Sequence, residues 1–297
     1  MRVVYSSRYE FSLPGHVWPT AKYRLVAERL SGRGEFEFEE PAAASWDDLA
    51  LAHTREYLDK LRLNTLTETE IATLELPWTA GMADAFRLMA GGTCAAVSHA
   101  MADGASAHIG GGLHHAFANH GEGFCPLNDV AVAIRKHARR AAVIDCDVHH
   151  GNGTAMIFER DPDVFTFSIH QQHNYPLFKP RSDLDVGLED NAGDEQYLAA
   201  LAGALPTVLA HEPDLVVYVA GADPFMDDKL GGLALTKTGL LARDRLVIGA
   251  ARHAGIPVAV VLAGGYASDV RDVADIHAAT IEELGQSHFR HRPSAEV

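Results

Sequence analysis

Cysteine is scarce in this chain of 297 residues. There are three (Cys94, Cys125 and Cys146), an odd number in apolar or motif contexts, which excludes a disulfide scaffold and points to the reducing cytoplasm. Basic residues are in the minority: 25 Lys and Arg stand against 40 Asp and Glu, a formal net charge of −15. That balance opposes binding to a nucleic-acid backbone and suits cationic ligands such as lysine-bearing peptides or polyamines. No apolar run is long enough for a membrane span, and the first eleven residues lack the apolar stretch of a signal peptide. Internal repeats, low-complexity segments and Pro/Ser-rich linkers are missing as well, so a single domain over residues 1–297 is expected.

What is present is the composition of a protein with a sizeable core, 47% apolar and 22% charged. Runs rich in Val, Ile, Ala and Phe read as buried strands at residues 2–5, 105–109, 141–144, 164–169, 215–219 and 257–262. Residues 194–211 read as a helix with Leu198, Leu201, Leu205, Val208 and Leu209 on one face and Pro206 expected to kink it; residues 78–102 read as a helix rich in small residues. Continuous apolar strands alternating with helices predict an α/β fold, a doubly wound and mostly parallel sheet flanked by helices. The tail from Gly285 reads as polar and loosely held.

In such sheets ligands bind beyond the carboxyl ends of the strands, and there the polar residues fall. His114 and His115 follow the strand near Ile109; Asp145, Asp147 and His149 follow Ile144; His170 follows Ile169; Asp223 follows Ala220; Gly264, Gly265 and Tyr266 follow Leu262. Five strand ends are expected to converge on one crevice. Within Asp145-Cys-Asp147-Val-His149, alternate positions of an extended segment point the same way, so Asp147 and His149 can grip one metal, with Asp223 as a third ligand. One imidazole and two carboxylates leave positions open for water and substrate, as a catalytic site requires. The His114-His115 pair supplies imidazoles that exchange protons near neutrality, and Tyr266 a hydroxyl for a developing oxyanion.

Together these stretches resemble the arginase/deacetylase fold and, within it, the zinc-dependent histone deacetylases. The matching motifs are G-G-L-H-H (Gly111 to His115), G-F-C-P-L-N-D (Gly123 to Asp129), D-C-D-V-H-H-G-N-G-T (Asp145 to Thr154), S-I-H (Ser168 to His170), A-G-A-D (Ala220 to Asp223), L-G-G-L (Leu230 to Leu233) and G-G-Y (Gly264 to Tyr266), in family order. The forms G-A-D-P-F-M-D-D-K-L-G-G-L-A-L-T and H-H-G-N-G-T are most similar to the class IV branch, which has some fatty-acyl preference. The resemblance implies a zinc-dependent deacylase acting on acylated lysine in a peptide or protein, with Asp147, His149 and Asp223 as zinc ligands. It makes His115 the general base and acid, Tyr266 the carbonyl-polarising hydroxyl, and His114 an electrostatic partner held by Asp145. Phe124 and Tyr175 become the walls of a tunnel for the acyl-lysine stem, with Gly123, Gly264 and Gly265 beside the substrate. A potassium ion is implied at Asp145, Asp147, His149, Ser168 and Ile169, and an outer one at Phe158, Asp161 and Val164.

Two departures stand out. Many members have an aspartate where this chain has Asn152, and a neutral amide stabilises a neighbouring imidazolium less than a carboxylate does; the class IV branch shares the asparagine. The rim aspartate that grips the substrate backbone in other branches has no clear counterpart in residues 74–78. Three alternatives stay open: an amidohydrolase of acylpolyamines or other small amides, a catalytically inactive acyl-lysine binder, and a binuclear manganese enzyme of the arginase type.

Overall fold

The computed structural model describes residues 1–79 and 81–290. Eight strands, counted among these residues, form one sheet: β1 (Arg2–Val4), β2 (Glu37–Glu39), β3 (Ala105–His108), β4 (Ala141–Asp145), β5 (Val164–Gln171), β6 (Leu184–Leu188), β7 (Leu215–Val219) and β8 (Val258–Val261). Their order is β2-β1-β3-β8-β7-β4-β5-β6, and every pairing is parallel. Every residue of β3, β4, β7 and β8 is buried, which is why they read as continuous apolar runs instead of alternating ones. The predicted doubly wound parallel sheet is the observed one.

The six predicted strands occur within two residues of their predicted limits, and two more, β2 and β6, were not predicted. Both unpredicted strands lie at sheet edges. β2 is the tripeptide Glu-Phe-Glu, and β6 alternates between half-buried and exposed positions, so neither carries an apolar run. The helix predicted from residue 78 begins at Met82 and runs to Asp103, where Gly104 ends it in a left-handed conformation. Helix Asp194–Leu209 carries Pro206 in its last turn. The tail differs from expectation. Residues 285–290 continue helix Val270–Arg290, and Ser287 and His288 are buried, because the amphipathic face that places Ile276, Ile281 and Leu284 in the core runs on through that turn. The rest of that tail, residues 291–297, lies outside the described residues. Among the described residues no helix is long and apolar enough to cross a membrane.

A buried polar network fixes the centre of the sheet. Arg243, on helix Lys237–His253, is fully buried, and its guanidinium donates to Asp244 Oδ1 (2.8 Å and 3.0 Å), to the carbonyl of Gly221 (2.5 Å) and to that of Cys146 (3.4 Å). Asp244 also accepts from the hydroxyls of Tyr218 (2.5 Å) and Thr280 (2.6 Å). One cation thus holds the main chain just past β4 and β7, the two strands that run into Asp147 and Asp223. Replacing Arg243 by Met leaves Asp244 buried without its counter-charge, and the expected cost is about 3–5 kcal/mol of unfolding free energy. Urea denaturation of wild-type and Arg243→Met protein measures it; a loss within 1 kcal/mol refutes the anchoring role.

Candidate active site

The cleft opens at the carboxyl ends of β3, β8, β7 and β4. Asp147, His149 and Asp223 are buried there, and their ligand-type atoms all lie within 4.8 Å of one another. The two carboxylates are positioned by the main chain: Gly264 N–H donates to Asp147 Oδ2 (2.8 Å), His149 N–H to Asp147 Oδ1 (3.0 Å) and Val148 N–H to Asp223 Oδ1 (2.8 Å). The second oxygen of Asp223 is buried without any hydrogen bond. His149 Nδ1 lies 3.0 Å from Asp147 Oδ1 and 3.3 Å from Asp223 Oδ2. Burial would lower the pKa of His149, but the two carboxylates raise it to about 10, so that its proton occupies the place of a cation. Burial likewise raises Asp223, helped by the charge of Asp147. An unsatisfied buried oxygen beside two carboxylates and an imidazole fits a divalent metal with mixed N/O preference, zinc among them.

The histidine pair follows β3. His114 Nδ1 is 2.7 Å from Asp145 Oδ2, and the Nε2 atoms of His114 and His115 are 3.1 Å apart. His115 Nδ1 is 2.7 Å from Asn152 Oδ1, at the start of helix Asn152–Phe158. Burial opposes protonation of both rings, yet Asp145 and Asp147 raise His114 to about 9, whereas His115, beside His114 and His149, is driven well below its ordinary value. This electrostatic asymmetry favours one positive charge, on His114, beside a neutral His115 that donates Nδ1–H to the Asn152 amide oxygen and faces His114 Nε2 with its own Nε2 lone pair.

A cavity of about 150 Å³ leads in, lined by His115, Gly123, Phe124, His149, Tyr175, Leu230 and Tyr266 among others; a smaller one of about 30 Å³ lies beyond it, against Trp18, Tyr23, His114 and Gly264. The Tyr175 ring stands edge-on to His115 (4.9 Å between centroids), and the Phe124 ring edge-on to Tyr266 (6.1 Å). Two close approaches demand glycine. A Cβ on Gly123 would press within 2.9 Å of Tyr175 and His115, and one on Gly264 would overlap Asp223 Oδ2. Gly123 and Phe124 both have left-handed backbone, strain that concentrates at functional positions. Tyr266, whose N–H is held by Asp228 Oδ2 (2.6 Å), has its phenol raised well above the ordinary value by burial and by Asp147 and Asp223.

The structure thus brings together the predicted His114, His115, Gly123, Phe124, Asp145, Asp147, His149, Asn152, Tyr175, Asp223, Gly264 and Tyr266, while Gly265 faces Ala222, Val273 and His277 of the core. Ser168 and Ile169 lie one strand away; Ser168 pairs in register with Asp145, and its hydroxyl is 3.0 Å from His170 Nδ1. His170 does not join the cleft, because it forms a separate group with His150 and Asp185 in which His150 Nε2 is hydrogen-bonded to Asp185 (3.1 Å). Four strand ends converge, therefore, and not five. Sequence reasoning passed over four residues. Lys22 is fully buried, donates to the carbonyl of Ala263 (2.6 Å) and sits 5.6 Å from the centre of the Tyr266 ring, with burial lowering its pKa to about 8 against the pull of Asp223 and Asp147. Asp228 holds Tyr266, Glu75 lines the cavity from the segment searched for a rim carboxylate, and Glu122 touches both Asn152 and Tyr175. Glu122 had a local signal, since it directly precedes the G-F-C-P-L-N-D motif.

Comparison with known proteins places this cleft in a family. A profile of the histone deacetylase domain matches residues 16–284. The chain is 41% identical over 286 residues to an uncharacterised protein of Picosynechococcus sp., covering 93% of this chain and 95% of that one. It is 32% identical over 306 residues to Histone deacetylase 2 of Arabidopsis thaliana, covering 96% and 78% respectively. Its fold matches the crystal structure of an HDAC homologue complexed with SAHA with a TM-score of 0.82 at 22% identity, over 96% of this chain and 84% of that one. The chain belongs to the histone deacetylase family. It is a hydrolase with the arginase/deacetylase fold.

If the three buried side chains are the metal grip, zinc titrated into metal-free protein raises the wild-type melting temperature, by about 2.7 kcal/mol of stabilisation at a hundredfold excess over Kd. Asp223→Ala should abolish that rise. Differential scanning fluorimetry of both proteins with and without zinc provides the comparison, and equal shifts would sink the ligand assignment.

Proposed function

We propose that the chain is a zinc-dependent deacylase that hydrolyses the amide of Nε-acyl-lysine in a peptide or protein. The observation that supports this best is that Asp147, His149, His115 and Tyr266 line one small cavity, with Asp223 clustered against Asp147 and His149 at its wall. Asp147, His149 and Asp223 would hold zinc, which would supply Lewis acidity at the amide carbonyl.

His115 lines both cavities and His114 only the inner one, which supports His115 as the proton carrier. It takes the water's proton at Nε2 and delivers it to the departing lysine amine. His114, charged and held by Asp145, orients its neighbour and adds positive potential where the tetrahedral oxyanion develops. Tyr266 donates its hydroxyl to that oxyanion. Phe124 and Tyr175 flank the passage for the aliphatic lysine stem, Gly123 lets Tyr175 approach His115, and Gly264 and Gly265 set the backbone before Tyr266. A potassium ion on Asp145, Asp147, His149, Ser168 and Ile169 belongs to the same reading, supported by the cross-strand pairing of Asp145 with Ser168. The residues that resemble the class IV branch support placement beside it, and three free, buried cysteines accord with a cytoplasmic site of action.

Acylated polyamines are the second reading, favoured by the Glu75 carboxylate on the cavity lining, which suits a cationic far end of the substrate. Acyl-lysine peptides and acylated polyamines offered side by side to purified enzyme separate the two: greater kcat/KM on the polyamines refutes the first reading. The inner cavity, at about 30 Å³, is far too small for a long chain, so on one peptide acetyl should be turned over faster than octanoyl or myristoyl. A rate that rises with chain length contradicts this. Tyr266→Phe should retain zinc and the fold while kcat falls by about two to three orders of magnitude. A change confined to KM would show that the hydroxyl only binds substrate.

A further inference from the structure

We infer that Glu122 is a positioning residue for the base: it fixes the amide of Asn152 and, through it, which nitrogen of His115 is free to accept a proton. This rests on the reading of His115 as the proton carrier. Glu122 Oε1 accepts two hydrogen bonds, from Asn152 Nδ2 (3.2 Å) and from the Tyr175 hydroxyl (2.9 Å), while Asn152 Oδ1 meets His115 Nδ1 at 2.7 Å. Four side chains form one chain, Tyr175–Glu122–Asn152–His115.

The logic lies in donors and acceptors. An asparagine amide can face an imidazole with either end. With Oδ1 toward His115, Nδ1 must carry the hydrogen, and Nε2 keeps its lone pair, which meets His114 Nε2 (3.1 Å) and is the atom left to take a proton from the reacting water. With Nδ2 toward His115 the tautomer reverses, and Nε2 is protonated and useless as a base. An ionised carboxylate accepts and never donates, so Glu122 admits only the Nδ2 end of Asn152 and thereby selects the productive orientation. Hydrogen bonds from His120, Tyr175 and Asn152 keep Glu122 ionised against its partial burial. The negative charge that an aspartate would place directly on the imidazole thus sits one side chain farther out. The same oxygen ties down Tyr175, a wall of the passage, so base and wall share an anchor.

This predicts a dependence between positions 122 and 152. Asn152→Asp sets two carboxylates against each other and should lower kcat by about tenfold or more, with a smaller effect on KM. Adding Glu122→Gln to that variant restores a donor opposite the new carboxylate, reversing the amide–carboxylate order, and should recover most of the loss, a non-additivity of about tenfold. The experiment measures kcat and KM on one acetyl-lysine peptide for wild type, both single variants and the double variant at equal zinc content. A second reading needs no turnover: in protein labelled with ¹⁵N-histidine, the imidazole nitrogens of His115, assigned with His115→Gln, should report the Nδ1-protonated form in wild type and lose it in Glu122→Leu. Single effects that simply multiply in the double variant, or a His115 tautomer unchanged in Glu122→Leu, overturn the inference. Wild-type protein without activity on any acyl-lysine substrate would sink the deacylase reading, and the tautomer measurement would still decide the role of Glu122.

Discussion

Two like charges buried side by side govern this molecule. Asp147 and Asp223 lie at the ends of neighbouring strands, shut away from water, where neither would remain ionised without help. The help comes from several directions. Main-chain N–H groups of Val148, His149 and Gly264 point at their oxygens, the His149 imidazole stands between them, and the Lys22 ammonium is buried nearby. Each compensation constrains the chain that supplies it. Gly264 must lack a side chain to come so close, and β4, β7 and β8 must be adjacent and parallel so that their ends deliver the two aspartates and this glycine to one point.

The same economy of charge organises the proton-handling side. Asp145 and Asp147 raise the pKa of His114, while His115, whose partners are the Asn152 amide and His114 itself, is pushed the other way. Two adjacent histidines in the sequence thus become chemically unlike because their Nδ1 atoms meet different groups. Their difference is written into residues 145 and 152, some thirty or more positions downstream.

Much of this was legible in the sequence, and the physical reason is burial. Central strands covered on both faces must be apolar throughout, so β3, β4, β7 and β8 announced themselves, and a polar residue at the end of such a run is conspicuous. That is how Asp147, Asp223 and Tyr266 could be picked out. Edge strands β2 and β6 escaped because a half-solvated strand has no apolar run to see. His170 was misplaced by the same logic that found the others: it ends an apolar strand, but β5 lies one strand farther from the cleft, and its side chain turns to His150 and Ser168. Lys22, Glu75, Glu122 and Asp228 were invisible for another reason. Each is a charged residue in a segment that reads as helix surface or loop, and only the folded chain brings it against the aspartates, the histidines or the tyrosine.

The Arg243 network has a consequence for how such a protein can diversify. Its guanidinium secures the segments bearing Asp147 and Asp223 through carbonyls, whereas Glu75, Phe124, Asn174, Tyr175 and Leu230 of the cavity lining come from other loops, with His149 common to both. Grip and mouth thus rest largely on different supports and meet at His149. Substitutions among the exposed loops of the mouth therefore leave untouched the contacts that hold the Asp147 and Asp223 segments, because Arg243, which makes them, is fully buried.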